Sequence, residues 1–216
     1  MKVVEIFNSI EGEGKRAGLP CTFIRLYGCN LKCSYCDSRY ACEGENAYTV
    51  MSIEEILNCV ESYGCTCVTV TGGEPLWHQG IDKLLSELTS VGYHVNVETN
   101  GSQMLRYPLL ELPNLFFTID YKSLSSEMNQ SMEKVSFYRL RSQDVLKCVV
   151  GDTNDLDDFL AFTEEVDPKA QIFVSPVFGK IEPAEIVDYI QLHKLYNWRV
   201  QLQMHKIIYA PDQRGV

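Results

Sequence analysis

The sequence predicts an α/β protein built as an incomplete (β/α) barrel, TIM-like but trimmed in its helices. Three observations predict it. Strand-like apolar runs alternate with amphipathic helical patterns along most of the chain, the mark of parallel strands joined by crossover helices. About seven strands but only about four clear helices follow residue 20. The chain has 216 residues, short of the about 250 typical of a complete eight-fold barrel. No linker, low-complexity tract or repeat divides it, so residues 1–216 are expected to form one domain.

The elements follow in order. "CTFIRLYG" reads as a buried strand ending just before Cys29. "MSIEEILNCVESYG" reads as a helix: Ser52 and Glu55 make a capping box, Ile53, Ile56, Leu57 and Val60 form one face, and Gly64 ends it. "TCVTVTGGEP" is a strand and a Gly-Gly turn. "QGIDKLLSELTSVG" is a second helix, with Ile81, Leu84, Leu85, Leu88 and Val91 on one face. "YHVNVETNG", "NLFFTID" and "DVLKCVVG" are strands. "TNDLDDFLAFTEEV" is a helix capped by Asn154 or Asp155, and "AQIFVSP" is a strand. "EPAEIVDYIQLHKLY" is a helix with Pro183 in its first turn, and "WRVQLQ" is the last strand. The unusual turns "GCNLKCSYCDS", "TGGEP", "ETNG", "DYKS" and "SPVFG" all fall where strands end. In parallel α/β architectures that edge is where sites are built.

Composition excludes several functions. No run of about 18 apolar residues is present, so no membrane span is expected. The acidic N-terminal stretch does not read as a signal peptide, which points to the cytoplasm. The net charge of −10 and the absence of a basic run argue against nucleic acid.

Nine cysteines are many for a reducing compartment. Cys29, Cys33 and Cys36 share one loop, as C-x3-C-x2-C. Cys21, Cys59, Cys65, Cys67 and Cys148 lie in apolar runs and read as small buried hydrophobes; Cys42 sits near the cluster in a polar stretch. A closed zinc site wants four ligands, and no second pair lies at finger spacing. Iron–sulfur clusters usually take four cysteines. Three leave one iron open to something else.

This motif, with Tyr35 just before the third cysteine and "TGGEP" one helix and one strand later, resembles the radical S-adenosylmethionine (SAM) superfamily. The resemblance implies a barrel of the radical SAM type. It also implies a [4Fe-4S] cluster held by Cys29, Cys33 and Cys36, with SAM's methionine chelating the open iron and being cleaved to a 5′-deoxyadenosyl radical. "FNSIEGEG", "FIRLYGCNLKCSYCDS", "DYKSLSSEM" and "HKIIYAPDQRGV" resemble, more narrowly, the 7-carboxy-7-deazaguanine synthase family. Those enzymes are lyases on the route to queuosine. They convert 6-carboxy-5,6,7,8-tetrahydropterin to 7-carboxy-7-deazaguanine with loss of ammonia, using SAM catalytically. Hydrogen is removed at C6 and the ring contracts. Mg²⁺, an electron donor such as a flavodoxin or ferredoxin, and a homodimer are also implied.

By that resemblance Tyr35, Cys36, Asp37, Gly73, Glu74, Asp120, Tyr121, Lys122 and Ser175 would line the SAM site. Ile10, Glu11, Gly12, Glu13, Arg25, Thr71 and Val216 would contact the pterin. Arg25 suits a carboxylate, a planar fork for a planar anion, or else pairs with a local acid. Ser38 stands where the family more often has Thr, and would ligate Mg²⁺ or else cap the next turn. Glu11 stands where Gln is usual; it either accepts from the guanidine-like ring edge or points to solvent. The tail either brings the Val216 carboxylate to the substrate or frays. His205 near the last strand could face the site. Two other readings compete. A small glycyl-radical-enzyme activase shares the cysteine spacing, but "SIEGEG" and "RGV" argue against it. A non-catalytic iron–sulfur or zinc module is the alternative of another class.

Overall fold

The computed structural model of the protein describes residues 1–44, 47–211 and 213–216. One nine-stranded sheet runs through it. The strands are β1 (Lys2–Ile10), β2 (Pro20–Leu26), β3 (Thr49–Val50), β4 (Cys67–Gly72), β5 (His94–Thr99), β6 (Leu115–Lys122), β7 (Val145–Val150), β8 (Gln171–Pro176) and β9 (Trp198–Val200). Their order is β3-β1-β2-β4-β5-β6-β7-β8-β9. The seven strands β2 and β4–β9 are mutually parallel, and among the described residues no hydrogen bonds close the sheet. The incomplete α/β barrel is therefore what the chain forms.

The predicted helices are α1 (Ile53–Ser62), α2 (Ile81–Ser90), α5 (Thr153–Val166) and α6 (Pro183–Leu192). Three short ones were not foreseen: α3 (Tyr107–Leu110), α4 (Lys134–Tyr138) and α7 (His205–Ile208). Each is a single turn or little more, too short to carry a hydrophobic period. The Ser52–Glu55 capping box forms in full, and Gly64 follows α1 with φ +67°. The cap of α5 differs from expectation. Asp152 fills that position, its carboxylate accepting from the Asn154 and Asp155 amides.

The N-terminus also differs. The sequence pattern marks no element before residue 20, yet Phe7–Ile10 belongs to β1, which pairs antiparallel with β2 and puts Phe7 opposite Phe23. Only Val3 and Phe7 of β1 are buried, so strict alternation never shows in its sequence. The strand exists because β2 offers it a hydrogen-bonding edge.

Side-chain alternation along each strand separates two environments. One face carries Ile24, Leu26, Val68, Val70, Val95, Val97, Phe117, Ile119, Leu146 and Cys148 into the main core beneath the helices. The other face carries Arg25, Thr71, Glu98, Thr118, Asp120 and Lys147. Register sets these side by side, pairing Arg25 with Thr71, Glu98 with Thr118, and Asp120 with Lys147. Among the described residues, no helix is long and apolar enough to cross a membrane.

Candidate active site

The polar face lines a cavity of about 470 Å³, the size of a small-molecule site. Its walls come from the ends of the parallel strands, the N-terminal loop and the tail. Cys29, Cys33, Tyr35, Cys36, Asp37 and Ser38 enter from the loop after β2. Ile10 enters from the end of β1, and Glu11, Gly12 and Glu13 from the turn after it. Arg25, Thr71, Gly73, Asp120, Lys122 and Val216 complete the set of predicted residues that line it.

The Gly-Gly turn builds this site through backbone proximity. Gly73 N–H donates to the Leu26 carbonyl (3.0 Å) and Glu74 N–H to the Gly28 carbonyl (2.9 Å), clamping the turn onto the start of the cysteine loop. Gly72 holds φ +136°, and a Cβ at Gly73 would run into the Gly28 carbonyl. Only glycine allows that approach.

Three predicted cofactor residues lie elsewhere. Tyr121 has the opposite strand parity to Asp120 and Lys122. It stacks on Phe162 in the core (centroids 4.2 Å apart) and donates to Asp158 (2.8 Å). The Glu74 carboxylate is fully buried behind the turn, accepting from the Leu76 and Asn100 amides and the Thr99 hydroxyl. Burial raises its pKa to about 7 in spite of those bonds. Ser175 is buried and donates to Glu13 (3.1 Å). These two side chains brace the site from outside its lining.

Glu11 takes neither expected direction. It is 1% exposed and paired at 2.6 Å with Arg16, which also donates to Thr69 and to the Val68 and His94 carbonyls. The extra charge relative to Gln is thus met inside the protein. Glu13 accepts from Lys147 (3.0 Å) and Gln203 as well as Ser175. Burial opposes its ionisation, but Lys147 outweighs this and holds its pKa low. Lys122 pairs with Asp120 at 2.6 Å; burial disfavours its charge, yet Asp120 outweighs that and raises its pKa.

Arg25 does meet a local acid, giving Nε to Glu5 at 2.7 Å, while the residue still lines the cavity. Ser38 precedes a 3-10 turn, but its hydroxyl makes no cap and donates to Asp37 (3.0 Å). His205 lines the cavity. Burial depresses its pKa, with Glu13 and Asp37 opposing. Sequence reasoning missed Glu98, Asn100, Lys147 and Lys206, all of which line the cavity. Glu98 accepts from Thr71 (2.7 Å), and burial, then the Glu11 charge, raises its pKa to about 7. Strand parity with the other lining residues was the available signal for Glu98 and Lys147.

The donor set fits a cluster better than a single ion. The three thiols of the C-x3-C-x2-C loop line one cavity, and Cys42 lines it beside them. Among the described residues, no three Cys, His, Asp or Glu side chains are arranged to hold one metal ion. The Cys42 thiol, which donates to the Ser38 carbonyl (3.7 Å), lies beside Cys29 and Cys36 and pulls both below an ordinary thiol pKa, towards the thiolate form that binds metal.

A strand-edge site with three loop cysteines beside a Gly-Gly clamp defines the class. Residues 23–166 match the Radical SAM superfamily, and the chain belongs to it. A [4Fe-4S] cluster and SAM are the cofactors of that class. Within the superfamily, the chain belongs to the 7-carboxy-7-deazaguanine synthase family. It is 43% identical to a 7-carboxy-7-deazaguanine synthase of Clostridium acetobutylicum, over 100% of this chain and 99% of that one. It is 34% identical to one of Thermoplasma acidophilum over the full length of both. The crystal structure of QueE from Escherichia coli superposes with a TM-score of 0.76 over 94% of each chain at 24% identity. That likeness speaks to the fold.

Proposed function

We propose that this chain is a 7-carboxy-7-deazaguanine synthase, a lyase that converts 6-carboxy-5,6,7,8-tetrahydropterin to 7-carboxy-7-deazaguanine with release of ammonia. The observation that carries this reading is convergence. The cysteine loop, the Gly-Gly turn, the "SIEGEG" turn and Arg25 all line one cavity, in a chain alignable end to end with enzymes of that name.

When bound, the cluster and SAM supply the radical that takes hydrogen from C6 of the pterin. Cys29, Cys33 and Cys36 would hold the cluster, and Tyr35 would serve the adenine side of SAM. Asp37, Gly73, Asp120 and Lys122 line the SAM side. Arg25 binds the substrate carboxylate with its terminal nitrogens, which have no hydrogen-bond partner among the described residues. Ile10, Glu11, Gly12, Glu13, Thr71 and the Val216 carboxylate surround the ring. Ser38 would contribute an oxygen ligand to Mg²⁺, a hard cation that takes oxygen donors. The paired ions Glu13–Lys147 and Asp120–Lys122 keep fixed charges about the reacting ring without a mobile proton. Residues 1–216 act as one domain, in the cytoplasm, as a homodimer served by a flavodoxin- or ferredoxin-like donor.

The test is an anaerobic incubation of reconstituted protein with reductant, SAM, Mg²⁺ and the pterin, read by mass spectrometry. A 7-carboxy-7-deazaguanine product that needs SAM but consumes little of it supports the reading. Cleavage of SAM to deoxyadenosine while the pterin survives would overturn the substrate and leave the class.

A further inference from the structure

Asn100 follows β5 directly, is buried, and reaches the cysteine loop across the sheet edge. Its amide nitrogen has two hydrogens and two acceptors, the Asn30 side-chain oxygen (3.1 Å) and Cys29 Sγ (3.5 Å). The other end of the amide sets its orientation. Asn100 Oδ1 accepts from the Ser102 backbone N–H (3.0 Å) and from the Ser102 hydroxyl (2.7 Å). A backbone N–H can only donate, so the end facing Ser102 is oxygen and the end facing Cys29 is nitrogen. Asn30 Nδ2 closes the ring by donating to Ser102 Oγ (2.8 Å). The Asn100 backbone is held too. Its N–H donates to the Glu74 carboxylate (2.7 Å), and the Glu74 N–H donates to the Gly28 carbonyl beside Cys29 (2.9 Å). Cys29 Sγ takes a second donor from its own loop, the Leu31 N–H (3.4 Å).

An N–H aimed at a thiolate sulfur favours whichever state carries more negative charge there. A thiolate-held cluster gains negative charge on reduction, and hydrogen bonds to its sulfurs help set its potential. We propose that Asn100 is a positioning residue for cluster reduction: donating to Cys29 Sγ, it raises the reduction potential, with Ser102 and Asn30 holding the amide in the donating orientation. This inference rests on the [4Fe-4S] cluster of the class and is independent of the pterin. Its consequence is that a milder one-electron donor can reduce the cluster than the three thiolates alone would require.

The experiment is an anaerobic redox titration of cluster-loaded protein, followed by EPR, without SAM or pterin. It uses wild type, Asn100→Leu, Asn100→Asp and Asn30→Ala, with iron and sulfide content measured first. Asn100→Leu keeps the volume and removes the donor. It should make reduction about fivefold to tenfold less favourable, the scale of one hydrogen bond, which for one electron is a fall of about 40–60 mV. Asn100→Asp keeps both Ser102 contacts but turns an oxygen and a charge towards Cys29, so its fall should be larger. Asn30→Ala removes only the other acceptor and should stay within about twofold of the wild type. An Asn100→Leu equilibrium within about twofold of the wild type would overturn the proposal. An equal fall in Asn30→Ala would overturn it too, since a loosened loop would then explain both. If Asn100→Leu fails to load, Asn100→Asp decides: a lower potential supports the proposal, and one at or above the wild type overturns it. If neither loads, Asn100 serves cluster assembly and the tuning role falls. A wild type that loads and reduces its cluster yet makes no 7-carboxy-7-deazaguanine sinks the pterin reading and leaves this one standing.

Discussion

Arg16→Met tests how the chain tolerates the buried charge of Glu11. Arg16 and Glu11 form an ion pair at 2.6 Å, with 9% and 1% of their side chains exposed. The pair sits among Thr69, Cys21 and the Val68 and His94 carbonyls. Methionine keeps the apolar length of arginine but leaves the Glu11 charge buried with only the Thr69 hydroxyl to meet it. Removing one partner of a buried pair costs about 3–5 kcal/mol, because the other charge is stranded. For a chain of this size, about 2–4 °C of melting temperature goes with each kcal/mol, so a fall of about 6–20 °C is expected. Glu11→Gln alone should cost less, since the amide oxygen still accepts from Arg16. The double variant should recover at least about 1 kcal/mol relative to Arg16→Met, the signature of direct coupling. Urea denaturation of the four cofactor-free proteins measures all of these losses. A loss below about 1 kcal/mol in Arg16→Met, or strictly additive losses in the double variant, would refute the argument that Glu11 depends on this one partner.

Three further outcomes follow from the site. Gly73→Ala should lose the cluster: the two turns would have to part by about 1 Å to admit a Cβ beside the Gly28 carbonyl, and such a displacement is large for a site. Iron and sulfide content after reconstitution reads this, and a full complement would contradict it. Cys42→Ser should retain the cluster, whereas Ser at Cys29, Cys33 or Cys36 should abolish its visible absorbance. Loss in Cys42→Ser would make Cys42 a ligand. Glu74 should make stability fall between about pH 4.5 and pH 7: its folded pKa, about 7, lies above its ordinary 4.5, so the folded state binds the extra proton and loses that advantage as pH rises. At about 1.36 kcal/mol per pH unit the contribution is about 3 kcal/mol. It should vanish from the pH slope of denaturation in Glu74→Gln, and an unchanged slope would rule the assignment out.

What the sequence alone determined was whatever one element can express. Seven parallel strands and four helices carry their own periodicity, caps and terminating glycines, so Ser52, Gly64 and Pro183 could be read in place. The spacing of Cys29, Cys33 and Cys36 lies within one loop, so the thiol loop at the strand edge was equally legible. Tertiary structure decided what depends on two elements meeting. β1 forms only because β2 offers an edge, and its residues alone lack alternation. Glu74 and Tyr121 belong to chemically suggestive turns, but the buried amides around one and the phenyl rings around the other draw them off the cavity. Glu11 looked ambiguous because its partner Arg16 is matched to it through the sheet, beside Thr69. Glu98 and Lys147 share strand parity with the other lining residues, but only register lays Thr118 and Asp120 beside them. Charge placement is a property of neighbours in space, and a linear sequence states only neighbours along the chain.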